Sequence, residues 1–311
     1  MKIIFFGTSD FAVKVLKRIS KSSSILAVVT QPNRQKGRHL KVLAPPVKIE
    51  AEKYGISVLQ PADVNDPAFT AKLKDMEADV FLVVSYGSML GKALLVMPKF
   101  GALNIHPSLL PKYRGAAPIQ RALLRGEKST GVTIIRMNER LDAGDIILQK
   151  ESDIKDTDNG DSLSDKLTVM GADLFMEALR LLEAGRAEFR KQDEKEATFA
   201  PKLKKEDGLI NWNSTTGEIL RIIKALTPWP GTYSNLEGRT LKIIEAEPRK
   251  GGDFGNASPG EVVLADQEKG FIVKTKDGAL SILELQIEGK KVMPAELFLR
   301  GHSVKPGARL G

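Results

Sequence analysis

The apolar positions of this chain fall into two regimes. Over the first two-thirds, short continuous apolar runs alternate with stretches of helical spacing. "KIIFFG" (2–7) has no polar break, as expected of a strand buried on both faces of a parallel sheet. "SDFAVKVLKRISK" (9–21) follows with apolar residues three and four apart, and Ser9 or Asp10 is placed to cap its first turn. "ILAVVTQ" (25–31), "SVLQP" (57–61), "DVFLVVSYG" (79–87) and "GALNIH" (101–106) read as further strands. "PPVKIEAEKYG" (45–55), "PAFTAKLKDM" (67–76) and "APIQRALLRG" (117–126) read as helices, the first opening on proline and closing on glycine as helices do. "GVTIIRMN" (131–138) and "DIILQKE" (145–151) lie close enough to pair as neighbours, and a helix over 161–184 ends at Gly185. This alternation predicts a doubly wound α/β domain, a Rossmann-like and mostly parallel sheet, over residues 1–189.

The second regime begins after a polar, charged segment, "RKQDEKEATFAPKLKKE" (190–206), which reads as a linker. Beyond it one helix, "TTGEILRIIKAL", precedes five short strands with turns rich in glycine and aspartate. That pattern predicts a smaller β-barrel, OB-like, over 207–311.

Composition narrows the chemistry. Apolar residues make up 42% and charged residues 28% of 311 positions, ordinary for a globular protein with two domains. The absence of cysteine excludes disulfides, thiolate metal sites and a cysteine nucleophile. Three scattered histidines argue against a structural zinc site, so no metal is expected. The first apolar run stops at Gly7-Thr8-Ser9-Asp10, too soon for a signal peptide, and no run is long enough to span a bilayer. A cytosolic location is the resulting expectation, and a monomer is expected without support from these features.

The net charge of +8 is weighted to the front, with +5 over 1–189, +2 over 190–206 and +1 over 207–311. No acid occurs between Asp10 and Glu50, and "VVTQPNRQKGRHLKVLAPPVK" (28–48) carries Arg34, Lys36, Arg38 and Lys41. Such a segment reads either as a solvated charged loop or as a contact for a polyanion. The first βα turn, "FFGTSDFA", has one glycine where a dinucleotide site has three, so a conventional NAD site is not indicated. Thr8 and Ser9 there suit a tight turn and a helix cap as well as any ligand.

The most distinctive stretch is "NIHPSLLPKYRG" (104–115). Ligands of open α/β sheets collect beyond the carboxyl ends of the strands. Residues two apart on a strand point the same way, so Asn104 and His106 share a face there. An amide can donate to a developing oxyanion, and an imidazole can hold or release a proton near neutrality. Asp142, in the turn "NERLDAGDI", is the carboxylate available to orient His106, or else a turn-capping residue.

These two segments, with "FFGTSDFA", "VVTQPNRQKGR", "VVSYGSML", "TFAPKLKKEDGLINW" and "TPWPGTY", give the chain its resemblance to the formyltransferase family that uses 10-formyltetrahydrofolate. It covers nearly the whole length, and the linker, barrel and basic loop resemble the branch whose acceptor is methionyl-tRNA. The resemblance implies catalytic roles for Asn104, His106 and Asp142, and a folate site lined by Ser108, Leu109, Leu110 and Pro111. It also implies that the basic loop meets the tRNA acceptor end, with Arg38 as the favoured reader of that end. Other readings are a relative acting on a small amine such as an amino sugar nucleotide or an aminoacyl ribonucleotide, a hydrolase releasing formate, and a non-catalytic RNA-binding protein. Trp229, between two prolines in "TPWPGTY", reads as the anchor of a hydrophobic turn rather than as a base-stacking platform.

Overall fold

The structure, a computed structural model, describes residues 1–36, 41–252, 254 and 256–311. It divides into two compact units. One comprises Met1–Pro118, Ser129–Asp153 and Leu163–Pro201; the other comprises Ile119–Lys128, Ile154–Ser162 and Lys202–Gly311.

In chain order the first part runs β1 (Lys2–Gly7), α1 (Asp10–Ile19), β2 (Ser24–Val29), β3 (Arg34–Lys36), β4 (Lys41–Leu43), α2 (Pro46–Lys53), β5 (Val58–Leu59), α3 (Pro67–Lys74) and β6 (Val80–Val84). It continues with α4 (Lys92–Leu95), β7 (Ala102–His106), β8 (Arg114–Gly115), α5 (Pro118–Arg125), β9 (Ser129–Arg136), β10 (Asp145–Asp153) and α6 (Gly160–Glu183). Seven strands form one sheet in the order β10-β9-β7-β6-β1-β2-β5. The five from β7 to β5 are parallel, and β9 and β10 extend the sheet antiparallel beyond β7. From β1 the chain steps outward through β2 to β5, then returns to the far side of β1 with β6. That reversal places a crevice beyond the carboxyl ends of β1 and β6.

The apolar runs are buried as the pattern requires: Ile3, Ile4, Phe5 and Phe6 of β1 are fully enclosed. Phe6 meets Tyr86 edge-on at 5.5 Å, and burial pushes the Tyr86 phenol up to about 12, with the Asp63 charge adding to it. Ser9 accepts from the Ala12 N–H at the start of α1, and the Thr8 hydroxyl donates to the Tyr86 carbonyl at 2.8 Å, so the first turn is used as turn and cap. On α6, a Cβ at Gly171 would lie 2.6 Å from Ile105 Cγ2, so the helix sits on β7 at a distance only glycine allows.

The basic segment is not a plain loop. Arg34–Lys36 and Lys41–Leu43 pair antiparallel as a small hairpin, with Arg34 opposite Leu43 and Lys36 opposite Lys41. Strands of three residues are too short for an apolar period to reveal them in the sequence.

The second part adds β11 (Phe199–Ala200), α7 (Thr216–Leu226), β12 (Thr232–Leu236), β13 (Arg239–Pro248), β14 (Val262–Asp266), β15 (Gly270–Lys274), β16 (Ala279–Ile287), β17 (Met293–Pro294) and α8 (Ala295–Gly301). Its sheet runs β12-β13-β16-β15-β14, antiparallel throughout, with β17 beside β16. The C-terminal tail closes it into a barrel. Leu310 bridges Leu236 of β12, while Arg309 bridges Glu261 and the Val262 N–H donates to Ala308 at the start of β14. Each edge of the sheet thereby finds partners. Ile243, Phe271, Leu280, Leu285 and Phe298 fill the interior with Ile219 and Ile223 of α7. Helix α7 starts with a capping box in which Thr215 and Glu218 satisfy each other's backbone N–H groups.

Two features of this unit differ from expectation. Helix α8, only seven residues long, carries too few turns to show a period in sequence, yet buries Phe298 and Leu299. Trp229 is 54% exposed and does not anchor its turn. Leu226, fully buried, and the Gly231 N–H donated to its carbonyl hold that turn and leave the indole outside. The interior indole is that of Trp212, whose Nε1–H donates to the buried Ser234 hydroxyl at 3.0 Å.

Closure by the tail predicts a stability test. Leu310→Ala should lower the unfolding free energy by roughly 2–5 kcal/mol in a urea titration, the cost of truncating an enclosed leucine. Lys305→Ala, at an exposed position of the same segment, should change it by about 0.5 kcal/mol or less.

Candidate active site

All the groups described here belong to the first compact unit. Strand β7 ends at His106 between β6 and β9, with Asn104 opposite Ile135 and His106 opposite Thr133. The two-residue period turns both polar side chains the same way, while Ile105 turns toward Gly171 of α6. Asn104 and His106 are 8% and 4% exposed, so the site is largely shielded from water.

Asp142 comes from the turn between β9 and β10, where its own backbone takes the left-handed conformation (φ 47°) that aspartate tolerates better than most residues. Its Oδ1 accepts from Asn104 Nδ2 at 3.3 Å, and its Oδ2 accepts from the Gly115 N–H at 2.8 Å. The same Oδ2 lies 3.6 Å from His106 Nδ1. The structure therefore unites Asn104, His106 and Asp142.

The imidazole is oriented from both sides. His106 Nε2 lies 2.9 Å from the Tyr113 carbonyl oxygen. A carbonyl can only accept, so Nε2 carries hydrogen and Nδ1 is the ring position free to gain or lose a proton. At 3.6 Å from the carboxylate, Nδ1 is within Coulombic reach but beyond hydrogen-bond length.

The turn after His106 is held by groups without apolar signature. Thr133, fully buried on β9, donates from Oγ1 to the Ser108 carbonyl at 2.7 Å and accepts from the Leu110 N–H at 3.1 Å. Gln149 donates to both Thr133 Oγ1 and the Leu110 carbonyl at 2.9 Å. The Ser108 hydroxyl is turned inward onto the Lys112 carbonyl at 2.7 Å, and Leu110 packs with Ile135 and Ile146. Leu109 and Pro111 are the half-exposed members of the four residues from 108 to 111.

The segment read as a linker is woven into this turn. Strand β11 pairs parallel with β8, and Thr198 accepts the Tyr113 N–H on its hydroxyl and the Arg114 N–H on its carbonyl. Gly115 has φ 121°, and a Cβ there would lie 2.7 Å from the Ala200 oxygen, so glycine is required where the backbone N–H turns to Asp142. Arg114, 2% exposed, forks onto Glu194 with two bonds of 3.1 Å and onto Gln192 with bonds of 3.0 and 2.8 Å. Its guanidinium, helped by Arg140, holds the Glu194 carboxyl below the usual carboxylate range. Arg114, Thr133, Gln149, Gln192 and Glu194 were invisible to periodicity. Their only sequence signal is polarity inside segments flanking the Asn-His and Asp turns.

Of the basic residues, Arg34 is exposed on β3 and donates to Gln31 Oε1 at 3.1 Å. Arg38 lies outside the described residues, as do the side chains of Lys36 and Lys41. A cavity of about 510 Å³ lined by Phe100, Gly101, Arg136, Met137 and Phe189 lies by the first residues of β7, at the strand end opposite His106.

An amide, an imidazole and a carboxylate beyond the carboxyl end of a parallel strand, at a sheet that lacks a dinucleotide fingerprint, suit an enzyme of carbonyl-group transfer. Residues 1–179 match the formyl transferase family and residues 202–303 match the formyl transferase C-terminal domain. The chain belongs to the formyl transferase family. It is 43% identical over 312 residues to the methionyl-tRNA formyltransferase of Geotalea uraniireducens, covering 100% of this chain and 98% of that protein. Solved structures share the fold. HypX from Aquifex aeolicus, in complex with tetrahydrofolic acid, superposes with a TM-score of 0.67 at 20% identity over 96% of this chain, which spans about half (47%) of HypX. The methionyl-tRNA formyltransferase of Clostridium thermocellum gives a TM-score of 0.56 at 19% identity, covering 81% of this chain and 95% of that one.

The geometry predicts that Asn104→Ala and His106→Ala each lower kcat for formyl transfer by about 10²-fold or more. Steady-state kinetics at saturating donor and acceptor check this, and near-full kcat in either variant removes that residue from the chemistry.

Proposed function

We propose that this chain transfers the formyl group of 10-formyltetrahydrofolate to the α-amino group of methionyl-tRNA, yielding the initiator formylmethionyl-tRNA. The observation that carries the reading is the union of Asn104, His106 and Asp142 in a chain that matches a methionyl-tRNA formyltransferase end to end. We further take it to work as a cytosolic monomer.

The chemistry follows from the donors and acceptors in place. The methionyl amine attacks the formyl carbon, and the carbonyl oxygen becomes an oxyanion. Asn104 Nδ2 has a second hydrogen beyond the one aimed at Asp142, and it donates to that oxygen. The Nδ1–H of a protonated His106 is not engaged at hydrogen-bond length by Asp142, so it too can turn to the oxyanion. The Asp142 carboxylate stabilises the imidazolium and accepts the proton that the attacking amine loses, directly or through water. Collapse of the tetrahedral species breaks the carbon–nitrogen bond to the folate, whose nitrogen leaves with the proton that Asp142 took from the amine, returned directly or through water. The donor lies along residues 108–111, against the half-exposed Leu109 and Pro111 and the backbone of the turn. This sequence needs neither a metal nor a covalent enzyme intermediate.

The acceptor distinguishes this reading from an amino-sugar formyltransferase, a hydrolase and a non-catalytic RNA binder. Formyl donor is incubated with methionyl-tRNA, with uncharged tRNA and with buffer alone. Formylmethionyl-tRNA in the first reaction only is the expected result; formate in all three, or no product, overturns the proposal.

The basic segment carries the acceptor preference. Arg34, Lys36, Arg38 and Lys41 contact the acceptor end, where phosphates need cations and terminal bases are unpaired. Arg38→Ala should lower kcat/KM for methionyl-tRNA while leaving the KM for the donor nearly unchanged. If Arg38 contacts a phosphate, the log–log salt dependence should flatten by about one unit. Equal losses on a minimal formyl acceptor without the tRNA body would show that the hairpin only supports the active site.

A further inference from the structure

Gln192 connects the segment before β11 to the turn that carries Asp142. Its Nε2 donates to two carbonyls of that turn, those of Asp142 and Gly144, each at 2.8 Å. Its Oε1 accepts two bonds from Arg114. All four positions of the amide are therefore used: two hydrogens on one turn, two lone pairs on one guanidinium. The two ends of this bridge converge. Arg114 immediately precedes Gly115, whose N–H holds Asp142 Oδ2, and the Asp142 carbonyl is what Gln192 grips. One amide thus ties the carboxylate's own peptide to the residue next to the carboxylate's main donor. The turn needs such a tie, because Asp142 has left-handed backbone and a Cβ at Gly144 would lie 2.0 Å from the Arg136 oxygen.

We infer that Gln192 is a positioning residue for Asp142, setting the carboxylate against Gly115, Asn104 and His106 through the peptide it holds. It touches none of the reacting groups itself. The kinetic part of this inference rests on the formyl-transfer reading; the structural part does not.

Two variants of the full-length chain test it. Gln192→Ala removes the bridge. Gln192→Glu keeps the shape and the acceptor for Arg114, but presents an oxygen to two carbonyls that need a donor. Amide hydrogen exchange of Gly115 reports whether Asp142 Oδ2 is still in place, independent of any substrate. Exchange at Gly115 should accelerate by about tenfold or more in both variants, and more than in the strands of the barrel. Turnover gives the second readout. Each variant should lower kcat by about tenfold or more with KM for donor and acceptor within about threefold. Combined with Asp142→Asn, either should add little further loss, because it acts through the group already altered. Unchanged Gly115 exchange overturns the inference, as does a kcat loss that multiplies in full with that of Asp142→Asn. Loss of Gly115 protection in a chain that formylates no methionyl-tRNA would uphold the positioning role and sink the functional reading instead.

Discussion

Asp142 is held, at its carboxylate and at its peptide, by groups from three separate parts of the sequence. Asn104 and His106 reach it from the end of β7, Gly115 from the turn beyond, and Gln192 holds its peptide from a segment about fifty residues later. A carboxylate in a site this shielded interacts strongly with each neighbour, because little water competes for it. Its placement therefore determines the others. Asn104 is left with one free hydrogen, and His106 with one free nitrogen. Displacing the 142–144 turn would release the Gly115 N–H.

The sheet supplies the geometry that makes this arrangement affordable. Strand β7 lies between β6 and β9, so its end cannot drift, and its alternation sends Asn104 and His106 to one side and Ile105 to the other. Thr133, one register position across from His106, pins the turn at Ser108 and Leu110. The Tyr113 carbonyl fixes the imidazole tautomer, which directs proton exchange to Nδ1, the nitrogen facing Asp142. The barrel lies within the second compact unit and has its own core, closed by the segment through Leu310.

Much of this was legible in sequence, for definite reasons. Continuous apolar runs such as "KIIFFG" can be satisfied only in a sheet covered on both faces, and the alternating helices then specify the architecture. Asn104 and His106 were legible because a two-residue period fixes their common face; Asp142 was legible as a carboxylate in a turn between strands, while its role beside them came from the family resemblance. What could not be read was held by polar contacts, which have no period. "RKQDEKEATFA" resembles a solvated connection, yet Gln192, Glu194 and Thr198 face Arg114, Tyr113 and the Asp142 turn. The hairpin of β3 and β4 and the helix α8 were too short for periodicity to register. Trp229 misled because burial follows the path of the turn rather than the size of the side chain.

The proposed chemistry depends on the charge of Asp142, so the most direct measurement is turnover of Asp142→Asn at saturating 10-formyltetrahydrofolate and methionyl-tRNA, with donor affinity measured separately. Asparagine keeps the shape, but removes the partner of the imidazolium and the acceptor for the amine proton. The predicted result is a kcat reduced by about 10²-fold or more with donor binding nearly unchanged. A variant that turns over at the wild-type rate once donor is saturating, having lost only affinity for it, would contradict the account and make Asp142 a binding residue.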